Sequence, residues 1–253
     1  MIVFSKRHII SLLICVIAVV FFGYSISSTS VFKSGQRNLP IYSVDNNEAI
    51  SLTFNCAWGD EDIDSILETL NKFDVKATFF VVGQWAEKYP QSLKKIISAG
   101  HEIGGHSYDH KDYTKLGEKE LREDIKKNKN AIYDAALYEI KLIRVPSGAY
   151  NNLSISTIED MGFIPVQWSV DSIDYGDADC EGIFQRATHN TKAGDIVLMH
   201  TGTKNTAQAL PRILDSLSGK FKILKVSELI FQENFFVDNT GKMISNKPNN
   251  SAK

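Results

Sequence analysis

Short apolar segments alternate with helical segments along most of this 253-residue chain, and this alternation limits its fold more than any other feature. Strands are predicted at 49–54, 77–82, 142–145, 164–168, 195–199 and 222–224, and one more runs into the histidine-rich stretch 101–110. Helices are predicted at 63–73, 90–100, 118–137, 154–161, 180–189 and 207–217. Short apolar strands separated by helices are typical of a parallel sheet, and about seven such repeats predict closure into a barrel of TIM type.

The first thirty residues form a separate unit. Lys6 and Arg7 precede an uncharged, apolar run at 9–26, and about 20 such residues cross a bilayer core. The positive flank predicts one transmembrane helix with a cytoplasmic N-terminus and everything after residue 30 outside the membrane. Secretion after cleavage of a signal peptide is the alternative.

The domain boundaries follow from composition. Residues 1–30 are predicted to be a cytoplasmic stub and membrane anchor, 31–46 a stalk, 47–232 one α/β domain, and 233–253 a polar tail. The chain has 43% hydrophobic residues, enough for a sizeable core, and a net charge of -2 with interleaved signs. This charge distribution argues against a nucleic-acid partner. Cys56 and Cys180, the two cysteines beyond the anchor, either pair with each other or leave one free as a ligand.

A glycine pair introduces two histidines four residues apart. Gly104 and Gly105 allow a turn or a close approach, and His106 and His110 then aim two imidazoles at one point if the chain coils once. The sequence predicts a metal site here, with a solvated surface turn as the alternative.

Polar residues follow most of the predicted strands. They are Asn55 and Cys56, His106 and His110, Arg144, Asp171 and Asp174, and His200. The carboxyl ends of parallel strands lie on one face of a barrel, which is where such folds place their active sites. We therefore expect these side chains to lie close together on that face.

The order of these residues resembles the polysaccharide deacetylases of the NodB homology type, carbohydrate esterase family 4, and within them the sporulation PdaB-like branch. The resemblance covers about 47–231. Its motifs are Thr53-Phe54-Asn55-Cys56, His106-Ser107-x-x-His110, Arg144-Val145-Pro146-Ser147-Gly148, Asp171-Ser172-Ile173-Asp174-Tyr175 and Leu198-Met199-His200.

The resemblance implies a distorted barrel of seven or eight strands that removes acetyl groups from N-acetylated cell-wall glycan (peptidoglycan) with a divalent metal, zinc first of all. It assigns the base to position 55, the acid to His200, the orientation of the base to Arg144, and the orientation of His200 to Asp174 or, alternatively, Asp171. The implied metal ligands are His106, His110 and Cys56. The implied substrate-binding residues are Leu198, Trp168, Pro146 and Tyr175.

The first motif departs from the family pattern. Asn55 stands where the family has its catalytic aspartate, and an amide does not accept a proton at neutral pH. Cys56 stands where the family has a metal-binding aspartate, and its thiolate would favour zinc. Asp60 is the alternative third ligand, and a buried, inert Cys56 is the alternative to a ligand role. The sequence therefore predicts weakened catalysis, a substitute base such as Asp60 or Asp171, or a non-catalytic protein that binds or organises wall glycan.

Overall fold

The computed structural model describes residues 37–246. The predicted membrane anchor lies outside this range, so the structure does not bear on it. Within the described residues, no helix has the length and apolar character needed to cross a bilayer.

Strands and helices alternate along most of this range. The strands are β1 (Ser43–Val44), β2 (Ala49–Cys56), β3 (Thr78–Val81), β4 (Glu102–Gly105), β5 (Leu142–Ile143), β6 (Ile164–Pro165), β7 (Val170–Asp171), β8 (Ile196–His200), β9 (Lys222–Ile223), β10 (Phe235–Val237) and β11 (Lys242–Ser245). The helices are α1 (Ile63–Lys72), α2 (Gly83–Lys88), α3 (Pro90–Ser98), α4 (Glu118–Ala136), α5 (Asn152–Asp160), α6 (Cys180–Thr188), α7 (Thr206–Ser218) and α8 (Val226–Leu229).

The main sheet is parallel and curled, with the strand order β6-β5-β4-β3-β2-β8-β7. β9 adds to the start of β2. In the described chain the two end strands, β6 and β7, do not pair with each other, so the sheet is a half-barrel. The expected alternation and parallel sheet are confirmed, and the seven strands fit the distorted barrel that the resemblance implies, although the sheet of the described chain is not closed as in a TIM barrel. Both end strands are only two residues long.

A segment predicted to be a stalk belongs to the domain. Ile41 pairs with Val166 beside the edge strand β6, and its backbone nitrogen donates to Pro165 O at 2.9 Å. Ile41 and Val44 are buried, so this segment covers an otherwise unpaired edge. The assignment of all of 31–46 to a stalk is therefore wrong for its last residues.

The predicted polar tail is also partly ordered. β10 and β11 form an antiparallel pair, and β11 pairs in parallel with β1 to give a second sheet of three strands. Met243 is fully buried in a cluster with Val44. The C-terminal segment up to residue 245 is thus held by the N-terminal one, a contact between distant parts of the chain that local composition does not reveal.

Strand β2 separates the core from the functional edge. Its apolar members, Leu52, Phe54 and Cys56, point into the largest hydrophobic cluster of the described residues, where Phe54 stacks on Phe79 at 4.9 Å. Because side chains alternate along a strand, Thr53 and Asn55 face the opposite side. This face receives the side chain of Arg144.

Candidate active site

The glycine pair in β4 makes room for two neighbours. A Cβ atom at Gly104 would lie 2.6 Å from the Phe80 ring, and one at Gly105 would lie 2.2 Å from Asn128 Oδ1. Asn128 is buried on α4 and donates to Val81 O at 2.9 Å and to Ser107 O at 2.7 Å. The glycines therefore let α4 pack against the strand end and fix the chain that enters the histidine motif.

The two histidines of this motif lie side by side. Their ring centroids are 5.0 Å apart, and His110 adopts a left-handed φ of 61°. His106 is fully buried, its Nδ1 contacts Arg144 O at 2.8 Å, and its Nε2 has no hydrogen-bond partner. Burial, and then the neighbouring His110, hold the pKa of His106 well below its usual value. A neutral imidazole that donates through Nδ1 leaves Nε2 free to bind a metal.

The expected third ligand is not beside them. Cys56 is fully buried in the apolar cluster, and burial raises the pKa of its thiol to about 12. Asp60, the alternative, accepts a hydrogen bond from Ser92 Oγ at 2.6 Å. Between residues 37 and 246, no three His, Cys, Asp or Glu side chains gather in a group that could hold a metal. The structure thus places Cys56 in the core, as in the alternative of a buried, inert cysteine, because the alternation along β2 turns position 56 toward the core and position 55 toward the cavity.

Arg144 is the largest fully buried side chain of the described domain. Its Nη1 donates to Asn55 Oδ1 at 3.0 Å and to Thr53 Oγ1 at 2.9 Å, and its Nη2 donates to Gln167 O. The guanidinium lies over the Phe80 ring at 4.0 Å. These hydrogen-bond partners are all neutral. Burial lowers the pKa of Arg144 well below its usual value, and the Asp171 carboxylate opposes this shift. The buried guanidinium of Arg144 therefore contacts an amide, and not a carboxylate, at position 55.

His200 and Asp174 form a buried pair. His200 Nδ1 and Asp174 Oδ1 are 2.7 Å apart, and the second carboxylate oxygen accepts from His200 N at 2.7 Å and from Thr206 Oγ1 at 2.6 Å. His200 Nε2 faces Asn55 Nδ2 at 3.5 Å. These contacts fix the imidazole so that its Nε2 points toward Asn55.

A cavity of about 250 Å³ unites these groups. Its lining includes most of the residues predicted from the sequence to act on a substrate, and it consists of Asn55, Trp58, His110, Ser147, Trp168, Asp171, Tyr175, Leu198 and His200. Pro146 does not line it; it is buried at the start of the 3-10 turn Pro146–Gly148, and its neighbour Ser147, with a φ of 54°, does.

Two lining residues were not among the predicted site residues, Trp58 and Ser147. Ser147 belongs to the motif that starts at Arg144, and Trp58 follows Cys56 by two residues, but the sequence does not show which way either side chain points. Cys56 and Cys180 are both free thiols, so the alternative of a disulfide between them is wrong.

A curled parallel sheet with imidazoles, a buried arginine and carboxylates at its carboxyl edge defines the class of barrel-like α/β proteins with an active site at that edge. The family model described as polysaccharide deacetylase matches residues 43–166. A peptidoglycan-N-acetylglucosamine deacetylase of Bacillus cereus is 33% identical over 69% of this chain and 65% of its own length. Another protein of that name and organism is 31% identical over 75% of this chain and 92% of its own. The chain belongs to the polysaccharide deacetylase family, carbohydrate esterase family 4.

The fold is also similar to that of a solved relative. A Bacillus anthracis protein described as a CE4 family pseudoenzyme shares 34% identity, with a TM-score of 0.72 over 75% of this chain and 68% of that one. A mutant of that protein, described as having restored enzymatic activity, gives the same TM-score. The chain spans just under two thirds of the first Bacillus cereus relative.

Proposed function

We propose that this protein is an N-deacetylase of N-acetylated cell-wall glycan, with peptidoglycan as its polymer. The observation that carries the proposal is the His200–Asp174 pair, whose Nε2 lies 3.5 Å from Asn55 Nδ2 at a cavity that His200 and Asn55 both line, with the buried Arg144 bonded to Asn55. An acetamido group in this cavity would lie beside an imidazole whose orientation is fixed by Asp174. The names of the relatives support the choice of substrate.

His200 is the proton donor to the leaving amine. Its Nδ1 contacts the Asp174 carboxylate at 2.7 Å, and a general acid must be positioned within hydrogen-bond reach of the atom that it protonates. Asp174 is in turn held by Thr206. The pair therefore keeps Nε2 directed at the substrate throughout the reaction.

The base is Asp171. Asn55 does not accept a proton, and Asp60 is bonded to Ser92 and is not part of the cavity wall. Asp171 lines the cavity, and its Oδ1 is held by Ile173 N at 2.8 Å. Its carboxylate is the one in the cavity wall that is available to take the proton of an attacking water, so Asp171→Asn is expected to lower turnover more than Asp60→Asn.

A divalent ion would be held by His106 and His110. The orphaned, buried Nε2 of His106 fits such an ion, and imidazole ligands suit zinc. When bound, the ion would polarise the acetyl carbonyl and lower the pKa of a water. We expect His106→Ala and His110→Ala to abolish zinc retention, measured by metal analysis after gel filtration, whereas Cys56→Ala retains it. Loss of zinc from the Cys56→Ala variant would instead show that the Cys56 thiolate is a metal ligand.

The test of the function is acetate release from N-acetylated peptidoglycan fragments by the full-length chain with one equivalent of zinc. His200→Ala is the control. Release that needs both zinc and His200 supports the proposal, and release that is equal in the control contradicts it.

A second candidate function is favoured by one observation. Asn55, an amide, occupies the position beside Arg144 where the resembled family has its base, so a protein that binds wall glycan without turnover is the alternative. Absence of acetate release from folded protein that still binds the fragments would favour it.

The setting of the protein is inferred from sequence. Lys6, Arg7 and the apolar run 9–26 support a membrane anchor with the domain outside the cell membrane. The motif order supports a role in spore formation, as in the PdaB-like branch that it resembles. Protease accessibility of the domain in intact cells tests the first inference, and timing of expression tests the second.

A further inference from the structure

Two large aromatic side chains converge on His200. The Trp58 ring stacks on the imidazole with centroids 5.1 Å apart and an angle of 29° between planes. Tyr175 meets the same imidazole edge-on at 5.2 Å. Both line the cavity, yet Trp58 is 49% exposed and Tyr175 52% exposed. Two exposed aromatic rings therefore border the cavity.

The loop that carries Trp58 is fixed. Gly59 O accepts a hydrogen bond from Trp85 Nε1 at 3.0 Å, and Trp85 is itself buried. A Cβ atom at Gly202 would lie 2.4 Å from Gly59 N, so the loops after β2 and β8 touch through their backbones. Asp62 Oδ1 strengthens this contact by accepting from Gly202 N at 2.8 Å. Trp58 is therefore held over His200 with part of its surface open to solvent.

The size of the cavity indicates a role for the exposed ring of Trp58. At about 250 Å³, the cavity is smaller than the roughly 300–1,000 Å³ of sites that enclose a whole drug-sized ligand. A polymer whose acetamido group enters such a cavity must leave its neighbouring units outside. The exposed aromatic rings at the cavity wall are those of Trp58 and Tyr175, and the Trp58 ring is the larger of the two.

We propose that Trp58 is a specificity-determining platform on which a pyranose ring of the glycan stacks, next to the sugar that is deacetylated. A pyranose ring has an apolar face of C–H groups and a polar rim of hydroxyls, and an aromatic ring covers the face without desolvating the rim. The ligand class is thus an oligosaccharide of N-acetylated amino sugars rather than a single sugar. This inference rests on the proposed function for its substrate, but stacking itself requires no turnover.

The test is calorimetric binding of N-acetylglucosamine and of its β-1,4-linked tetramer to the full-length chain. We expect Trp58→Ala to weaken binding of the tetramer by about 2- to 12-fold, the range for an aromatic stacking contact, and to leave the monomer within about 2-fold. Trp58→Phe should keep most of the affinity. Phe236→Ala is the matched control, because Phe236 is 47% exposed but lies in the three-stranded sheet, and it should change neither affinity.

The inference is overturned if Trp58→Ala binds the tetramer as the parent does, if it weakens monomer and tetramer equally, or if the parent binds no oligosaccharide. Trp58→Gln, which keeps a side chain over His200 without an aromatic face, replaces the alanine variant if thermal melting shows that the latter is unfolded. Acetate release is measured separately. Tetramer binding that depends on Trp58 without release supports the platform and contradicts the deacetylase, whereas release with unchanged binding by the variant does the reverse.

Discussion

Asn55→Asp places a carboxylate against a buried arginine that has only neutral hydrogen-bond partners. Asn55 Oδ1 already lies 3.0 Å from Arg144 Nη1, so the new side chain needs no movement to form an ion pair. At this distance and an effective dielectric constant of about 20, the attraction is about 5 kcal/mol. Burial of the carboxylate offsets several kcal/mol of this, but the desolvation of Arg144 is already part of the parent structure. We expect the free energy of unfolding to rise by about 1–2 kcal/mol at pH 7.

The same substitution supplies a general base. If position 55 is the missing part of the site, acetate release should rise by about 10²- to 10⁴-fold. Chemical denaturation measures the stability and acetate release measures the activity. Because Arg144 would lower the pKa of the new carboxyl in the folded state, the added stability should be present above about pH 4 and disappear as the pH falls through that lowered pKa.

The matched control is Asn128→Asp, another buried amide. Asn128 donates to two backbone carbonyls, which would face a carboxylate in the variant, so this change should destabilise the fold. Destabilisation of the Asn55 variant to the same extent would refute the argument that Arg144 lacks an anionic partner. Unchanged acetate release from a folded Asn55→Asp protein would show that the rest of the site is not intact.

Three further perturbations test separate parts of the structure. Asp174→Asn should lower acetate release by about 10²- to 10⁴-fold, because it removes the charge that supports His200; full activity would show that the pair has no catalytic role. Gly105→Ala should cost about 1–3 kcal/mol in denaturation, since its Cβ would meet Asn128 Oδ1 at 2.2 Å, whereas Gly219→Ala, whose Cβ would meet its nearest neighbour at 3.7 Å, should be nearly neutral. Burial lowers the pKa of His101 to about 4, and its Nδ1 accepts a hydrogen bond from Ala77 N. Because the unfolded chain binds a proton at His101 more readily than the folded chain, the free energy of unfolding of the parent should fall by about 2 kcal/mol from pH 7 to pH 5 on account of this residue. His101→Gln should not show this part of the decrease. Equal pH dependence in the two proteins would contradict this.

The sequence by itself determined that the strands run parallel and that the site lies at their carboxyl ends. Strands that are connected through helices run parallel, and this places all their carboxyl ends on one side of the sheet. That rule alone brings Asn55, His110, Asp171 and His200 to one cavity. The resemblance implied that Arg144 would orient the residue at position 55 and that Asp174 or Asp171 would orient His200. In the structure Arg144 contacts Asn55 and Asp174 contacts His200.

Only the tertiary structure decided which side of β2 faces the cavity. A shift of one residue along a strand exchanges its two faces, so Cys56 lies in the core while Asn55 contacts Arg144. The open half-barrel and the burial of Ile41 and Met243 depend on pairing between segments far apart in the chain, which no local pattern records. Trp58 reaches His200 because the loops after two strands touch at Gly59 and Gly202. Contacts of this kind arise from packing in three dimensions, whereas periodicity and turn residues are properties of the chain itself.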